Sequence, residues 1–362
     1  MPPPAPSSGK HKVVEKPVRV CEGCGAAAEF DPATGGLKCS YCGVEKVIPR
    51  AAPLRHPLQV IARLGSSVNV PTTTLQCTNC GAVASVASNR MGTSCAFCMA
   101  PLVAMSRLAE LPAEAVLPFS VTRAAAAEHL QAWARRLWFR PLKVKRLSTL
   151  REVRGVYVPH WVYDATAHSD WSADAGHEYE QEGVAVIGGE EQTVRERQTR
   201  WENAWGVHDK AYGELVVSAS AGLPPRELAE IEPFPLGDEV VRFQRDFVAG
   251  FEAERPAFSV LDGWLHALRQ IVTQEEGTCE QLVPGTVRRN LRVSTATTDE
   301  RALSLLLPVY VAAYEHGGQV YRVLINGCTG KITGQAPLSW WRIGSLAAGV
   351  VAAAAMLLAS WL

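Results

Sequence analysis

The feature that most constrains this chain is a set of eight cysteines arranged as four C-x2-C doublets. Cys21/Cys24 and Cys39/Cys42 make one pair of doublets, and Cys77/Cys80 with Cys95/Cys98 make another. Each cysteine of the second pair lies 56 positions after its counterpart in the first (77 − 21, and likewise for the other three), a repeat that chance placement rarely produces. Two thiolates three positions apart on a tight turn reach one tetrahedral ion at about 2.3 Å, and two such turns at the ends of a short hairpin complete its shell. Gly25, Gly43 and Gly81 each follow the second cysteine of a doublet, where a left-handed backbone lets amide N–H groups approach sulfur. Met99 takes that place in the fourth doublet. Gly35-Gly36 is expected to turn the first hairpin, and residues 89–92 the second.

Four thiolates leave no open coordination position, so two structural zinc ions are expected rather than a hydrolytic centre. Each ribbon is too small to support a core alone, which makes metal binding and folding one event worth on the order of 10 kcal/mol. Iron in a rubredoxin-like site and thiol–disulfide chemistry are the alternatives, and paired doublets at ribbon spacing favour zinc. Cys279 and Cys328 stand outside the pattern and read as core thiols.

The rest of the chain is long enough for further folded units, with 362 residues of which 47% are hydrophobic and 20% charged. Its formal net charge is zero, so no global field draws it to an anionic partner. Residues 1–18 are proline-rich and basic, without the apolar core of a signal peptide; they predict a disordered tail and a reducing, cytoplasmic setting. The boundaries that follow are zinc ribbon 1 at 19–50, a Pro-punctuated linker at 51–72, zinc ribbon 2 at 73–103 and a mainly antiparallel α+β domain at 104–338.

Within that domain, Leu130, Trp133, Ala134 and Leu137 recur at helical spacing behind Thr122 as N-cap. A second helix is expected over 258–283, capped by Ser259, with Leu261, Trp264, Leu265, Leu268, Ile271 and Val272 on one stripe. Strands are expected between Gly155 and Ser220, and again over 287–293, 303–314 and 319–325, with Gly317-Gly318 turning a hairpin.

Residues 343–362 carry no charge, and twenty helical residues span about 30 Å, the thickness of a bilayer core. Trp340, Trp341 and Trp361 flank the stretch and Arg342 marks its N-terminal side. This predicts a transmembrane tail anchor at 340–362 and a single-pass location in the inner (cytoplasmic) membrane. The expected fold class is thus α+β, with two N-terminal four-cysteine ribbons and one C-terminal transmembrane helix.

Catalytic signatures are missing. Gly327-Cys328-Thr329-Gly330-Lys331-Ile332 lacks the glycine spacing of a phosphate loop and the Ser or Thr after its lysine. The polar run Asp164, His168, Asp170, Asp174, His177 fits no closed metal site. No nucleophile, base and orienter can be assigned, and the chain reads as a non-enzyme.

With these features in place, the chain resembles a group of bacterial membrane-anchored double zinc-ribbon proteins, often labelled primosomal-protein-N′-like or transcription-factor-type zinc-ribbon proteins. The carriers are the cysteine doublets, Leu117-Pro118-Phe119, Gly155-Val156-Tyr157-Val158-Pro159-His160-Trp161, and Ile325-Asn326-Gly327-Cys328-Thr329-Gly330-Lys331. The resemblance implies a membrane platform, linked in some bacteria to stomatin/flotillin-type and phage-shock-type envelope-stress proteins. The favoured expectation is a non-enzymatic adaptor held at the membrane and presenting surfaces to protein partners. The rival is nucleic-acid binding, in which Arg19, Lys38, Lys46, Arg50, Arg55, Arg63 and Arg90 contact phosphates while Phe30, Tyr41 and Phe97 stack on bases.

Overall fold

The computed structural model of the protein describes residues 19–65, 74–77, 83–85, 97, 102–105, 113–136, 153–187, 190–254, 256–316 and 319–335. At its N-terminal end, β1 (Arg19–Val20), β2 (Ala27–Asp31), β3 (Gly36–Cys39) and β4 (Glu45–Lys46) pair in chain order into a small antiparallel sheet. The expected hairpin turn is present. Gly35 sits at φ 67° and donates its N–H to the Asp31 carbonyl at 2.8 Å. Gly36 opens β3 where a Cβ would lie 2.6 Å from the Lys46 carbonyl oxygen.

After β5 (His56–Pro57) and α1 (Leu58–Gly65), the backbone forms β6 (Thr74–Cys77), β7 (Val83–Ser85) and β8 (Leu102–Met105), then β9 (Ala115–Val116) and α2 (Arg123–Arg136). Thr122 caps α2 as expected, its Oγ1 accepting from the Ala125 N–H at 3.2 Å. Then come β10 (Arg154–Ile187) and β11 (Glu190–Ser218), an antiparallel hairpin of 34 and 29 residues. Next are α3 (Pro225–Ile231), β12 (Val241–Arg242), β13 (Glu252–Glu254), α4 (Val260–Leu282) and β14 (Val287–His316), and last β15 (Gln319–Asn326) and β16 (Ile332–Gly334). β14 pairs antiparallel with β10 along nearly its whole length, so β11-β10-β14 form a long three-stranded slab that the shorter strands widen at one end.

One face of the slab is apolar. On β10, Ala165, Ala167, Ser169, Trp171, Ala173 and Ala175 are buried while His168, Asp170 and Ser172 are exposed, the period-two alternation of a half-buried sheet. α4 lies on the apolar face. Its start is a capping box: the Asp262 N–H donates to Ser259 Oγ at 3.2 Å, and the Ser259 N–H donates to Asp262 Oδ2 at 3.1 Å.

The buried side of α4 is Val260, Gly263, Ala267, Ile271, Glu275 and Cys279, whereas Leu261 and Leu265 of the expected stripe are exposed. Gly263 sets this phase. A Cβ there would stand 2.2 Å from Tyr163 Oη and 2.8 Å from Trp161 Cδ1, so the helix lies close to two large side chains, and Trp161 Nε1 and Tyr163 Oη donate to the Phe258 and Val260 carbonyls at 3.3 and 2.7 Å.

Two expectations are corrected. The described chain is mainly β-sheet rather than α+β, because segments that read as several short strands are single long ones. Their polar positions face solvent from mid-strand instead of marking breaks. The transmembrane helix and the single-pass inner-membrane location that rested on it are not supported, since among the described residues no helix is long and apolar enough to cross a membrane. α4, the longest, carries Glu275, Glu276 and Glu280 and packs on the sheet. Residues 340–362, like the tail at 1–18, lie outside the described residues.

Candidate metal centre

The four cysteines of the first set converge on one point. Cys21 lies at the end of β1 and Cys39 at the end of β3, so two antiparallel connections bring two chain reversals side by side. The reversals are near copies. The Gly25 N–H donates to the Cys21 carbonyl at 2.9 Å and the Gly43 N–H to the Cys39 carbonyl at 3.0 Å, with the two glycines at φ 73° and 74°. The left-handed conformation expected after each doublet is thus present in this ribbon, and it explains why glycine stands there.

The sulfurs fit a tetrahedral ion. Cys21 Sγ lies 3.5 Å from Cys42 Sγ, Cys24 Sγ lies 3.6 Å from Cys39 Sγ, and all four fall within 4.8 Å of one another. A tetrahedron with metal–sulfur bonds of about 2.3 Å has edges of about 3.8 Å. Cys21 and Cys39 are buried, and Cys24 and Cys42 close the outer side.

The electrostatics agree. The amides of Cys42 and Tyr41 point at Cys39 and pull its thiol down to about 6. At Cys42 the Val44 amide acts in the same sense, but the crowded sulfurs of Cys24 and Cys21 outweigh it and push the thiol up to about 12. Four thiolates cannot gather here without a cation, and a divalent metal ion would supply it. Cys21, Cys24, Cys39 and Cys42 therefore form a group that can hold a metal ion.

Of the second set, Cys77 ends β6, and Cys80, Cys95 and Cys98 lie outside the described residues. The repeat is nevertheless visible in the backbone. Leu75 pairs with Ala84 and Gln76 with Val83, which is the Arg19–Ala28 and Val20–Ala27 register displaced by the same 56 positions (75 − 19).

The first ribbon is fastened to the slab. Phe30 is buried between Phe247 (edge-on, centroids 5.8 Å apart) and Phe251 (6.4 Å), and its N–H donates to the Ala249 carbonyl at 3.0 Å. Phe251 stacks on Phe119 at 4.3 Å, and Phe119 meets Tyr157 and Tyr310 at 5.0 and 4.6 Å. The three strings that carried the family resemblance meet at this aromatic knot. A Cβ on Gly155 would lie 2.4 Å from Phe251, and one on Gly327 2.6 Å from Phe119. Buried Asn326 holds the adjoining turn with its whole side chain: Nδ2 donates to the Ile231 and Pro233 carbonyls, and Oδ1 accepts from the Cys328 and Thr329 amides at 2.8 and 3.0 Å. These residues build the core rather than a catalytic pocket.

Two of the three aromatics expected to stack on bases are unavailable, since Phe30 is 4% and Phe97 1% exposed. Five of the cations are engaged with acids: Arg19 with Asp246, Lys38 with Glu45, Lys46 with Glu22, Arg50 with Glu239, and Arg55 with Asp164 and Glu214. Arg90 lies outside the described residues. The polar run on β10 does not gather around an ion. His168 pairs with Asp209 at 2.5 Å, His177 with Glu202 at 2.8 Å and Asp174 with Arg289 at 3.1 Å, all across neighbouring strands.

Sequence reasoning missed two buried acids. Glu275 on α4 accepts from Ser169 Oγ, His208 Nδ1 and Tyr212 Oη at 2.7, 2.8 and 2.7 Å. Burial raises its pKa, yet the hydrogen bonds from His208, Tyr212 and Ser169 together outweigh that and hold it below the usual carboxylate value. Glu254 on β13 accepts from Ser220 Oγ at 2.6 Å and from the Ala221 and Gly222 amides at 3.0 Å each, and burial pushes it up to about 7. Neither stands out in sequence, because a lone Glu in a helix or short strand is ordinarily a surface residue. Also missed were four exposed apolar side chains in the same ribbon as the metal group, Val20, Tyr41, Val44 and Val47.

Compared with known proteins, the chain is 24% identical over 333 residues to an uncharacterized protein, YdjG, of Bacillus subtilis (strain 168), covering 91% of this chain and 93% of that relative. No protein-family model matches the chain. No solved structure matches it either.

Proposed function

We propose that the protein is a non-enzymatic zinc-ribbon adaptor that binds two structural zinc ions, one in each cysteine set, and uses the first ribbon to dock a protein partner. One observation carries this reading. The ribbon spends its buried residues, Phe30 and Leu37, on the slab and leaves Val20, Tyr41, Val44 and Val47 in solvent on either side of the knuckles, at 66%, 83%, 49% and 87% exposure. Four exposed apolar side chains on one small metal-stiffened ribbon are a poor use of surface unless something covers them.

The engaged cations and buried phenylalanines weigh against the nucleic-acid alternative, which needs free positive charge and exposed rings. The four-thiolate shell argues against metal-centred hydrolysis, since it has no place for a water. Kinship with double zinc-ribbon proteins is part of the same proposal and is supported by the 56-residue repeat in both cysteines and strand register.

The test is affinity capture from the native host with wild-type protein and with Tyr41→Asp/Val47→Asp, neither of which alters a ligand. A partner held by the wild type and lost from the double variant at unchanged zinc content is the expected result. Nucleic acid bound with a steep salt dependence, or identical partners on both proteins, overturns it.

A further inference from the structure

We infer that the chain pairs with a second copy of itself along the free edge of β11, in antiparallel register about a two-fold axis at Asn203. Among the described residues β11 pairs only with β10, so 29 residues of strand present one unpaired edge. Long edges of this kind template pairing unless they are covered or blunted. β11 has no proline between Glu190 and Ser218, and on its solvent face Trp205 and Val207 are 81% and 58% exposed.

The strand is most self-complementary in one register. With the axis at Asn203, each residue a given number of positions before it faces the residue as far after it in the second copy. On the solvent face Arg197 then meets Asp209 and Trp201 meets Trp205. On the α4 face Glu196 meets Lys210. Every such pair occurs twice, Asn203 meets its own twin with an amide that both donates and accepts, and from 195 to 211 no like charges face each other.

Neighbouring registers do less well: an axis at Trp201 keeps one ion pair, Arg200 with Glu202, and one at Ala204 keeps none. An axis at Glu202 or Arg200 sets a charge against itself, and one at Trp205 sets Arg200 against Lys210. An axis at Gly206 keeps only Glu202 opposite Lys210 as an ion pair and runs into the irregularity at Glu214, φ 56°. Among the described residues the two α4 helices would not collide. α4 rests over the three-stranded slab, so the two helices would be separated by about three strand spacings, roughly 14 Å, where packed helices need only about 8–10 Å.

The proposal is independent of the metal reading and is tested on the full chain with its zinc content assayed in parallel. Sedimentation or light scattering should give twice the 39.2 kDa chain mass. Arg197→Asp, which places two carboxylates opposite each other twice, should raise the dimer dissociation constant about tenfold or more, and so should Asp209→Arg. Combining the two should restore it, with circular dichroism confirming that each variant is folded. A monomeric wild type overturns the inference, as does a dimer that Arg197→Asp leaves intact or that the double variant fails to rescue.

Discussion

Replacing Glu254 by glutamine should change how stability depends on pH more than it changes the structure. Glu254 is 2% exposed and among the described residues pairs with no cation; its carboxyl meets a hydroxyl and two amides. Burial raises its pKa from 4.5 to about 7 in the folded protein. The folded state therefore binds this proton more tightly than the unfolded chain. The stabilisation is fully present below pH 4.5, declines as pH rises, and is gone above pH 7. A difference of 2.5 units (7 − 4.5) at about 1.4 kcal/mol per unit makes the loss roughly 3 kcal/mol. Glutamine fits the same donors, because its oxygen can accept from the Ala221 and Gly222 amides while its NH2 donates to Ser220 Oγ. Urea unfolding at a series of pH values should then give Glu254→Gln a stability close to the wild type at pH 5 and up to about 3 kcal/mol greater at pH 8. Curves that stay parallel from pH 5 to 8 would refute the reasoning, since they would mean the carboxyl titrates alike in both states.

Three further substitutions probe other parts of the fold. Phe30→Ala removes the ring wedged between Phe247 and Phe251 and should cost about 3–5 kcal/mol, with protease cleavage appearing first in residues 19–51 as the ribbon loosens. Glu275→Ala strands two buried or half-buried donors, His208 and Tyr212, and leaves Ser169 only its contact with Thr295 Oγ1; it should destabilise by roughly 3–5 kcal/mol in urea unfolding at pH 7. Because the folded pKa of Glu275 is depressed, the wild-type advantage should be present above pH 4.5 and fade as pH falls through the folded value. Gly263→Ala drives a methyl into Tyr163 Oη and should lower stability by about 1–3 kcal/mol, whereas Gly277→Ala, whose Cβ meets nothing within 4 Å, should leave it unchanged or raise it.

The parts of this molecule legible in its sequence are those set by local chemistry. The first two doublets and their glycines specify the knuckles of that ribbon without reference to the rest of the fold, and the Thr122 and Ser259 caps announce two helices within a residue of where they start. What was not legible depends on long-range contacts. The phase of α4 is fixed by Tyr163 and Trp161, about a hundred residues away, which admit Gly263 and Ala267 and turn the larger Leu261 and Leu265 outward. The 30-residue β14 read as separate strands because its middle, from Ser294 to Arg301, is polar. Its identity as strand comes from pairing with β10, whose own polar residues share the solvent face. The resemblance strings were visible, but their role as the aromatic knot beneath the ribbon follows only from Phe251 and Phe30 arriving from distant parts of the chain. The apolar C-terminal stretch suggested a membrane span by its length and its flanking Trp and Arg residues, and no helix among the described residues supports one.

The account turns on thiolates closing around an ion in the first ribbon. Elemental analysis of freshly purified, reduced protein should find stoichiometric zinc, two ions per chain if both cysteine sets are filled. Cys39→Ser should remove one of them, while Cys279→Ser, which alters a buried thiol under α4, should remove none. Protein that is folded and free of both zinc and iron would contradict the account.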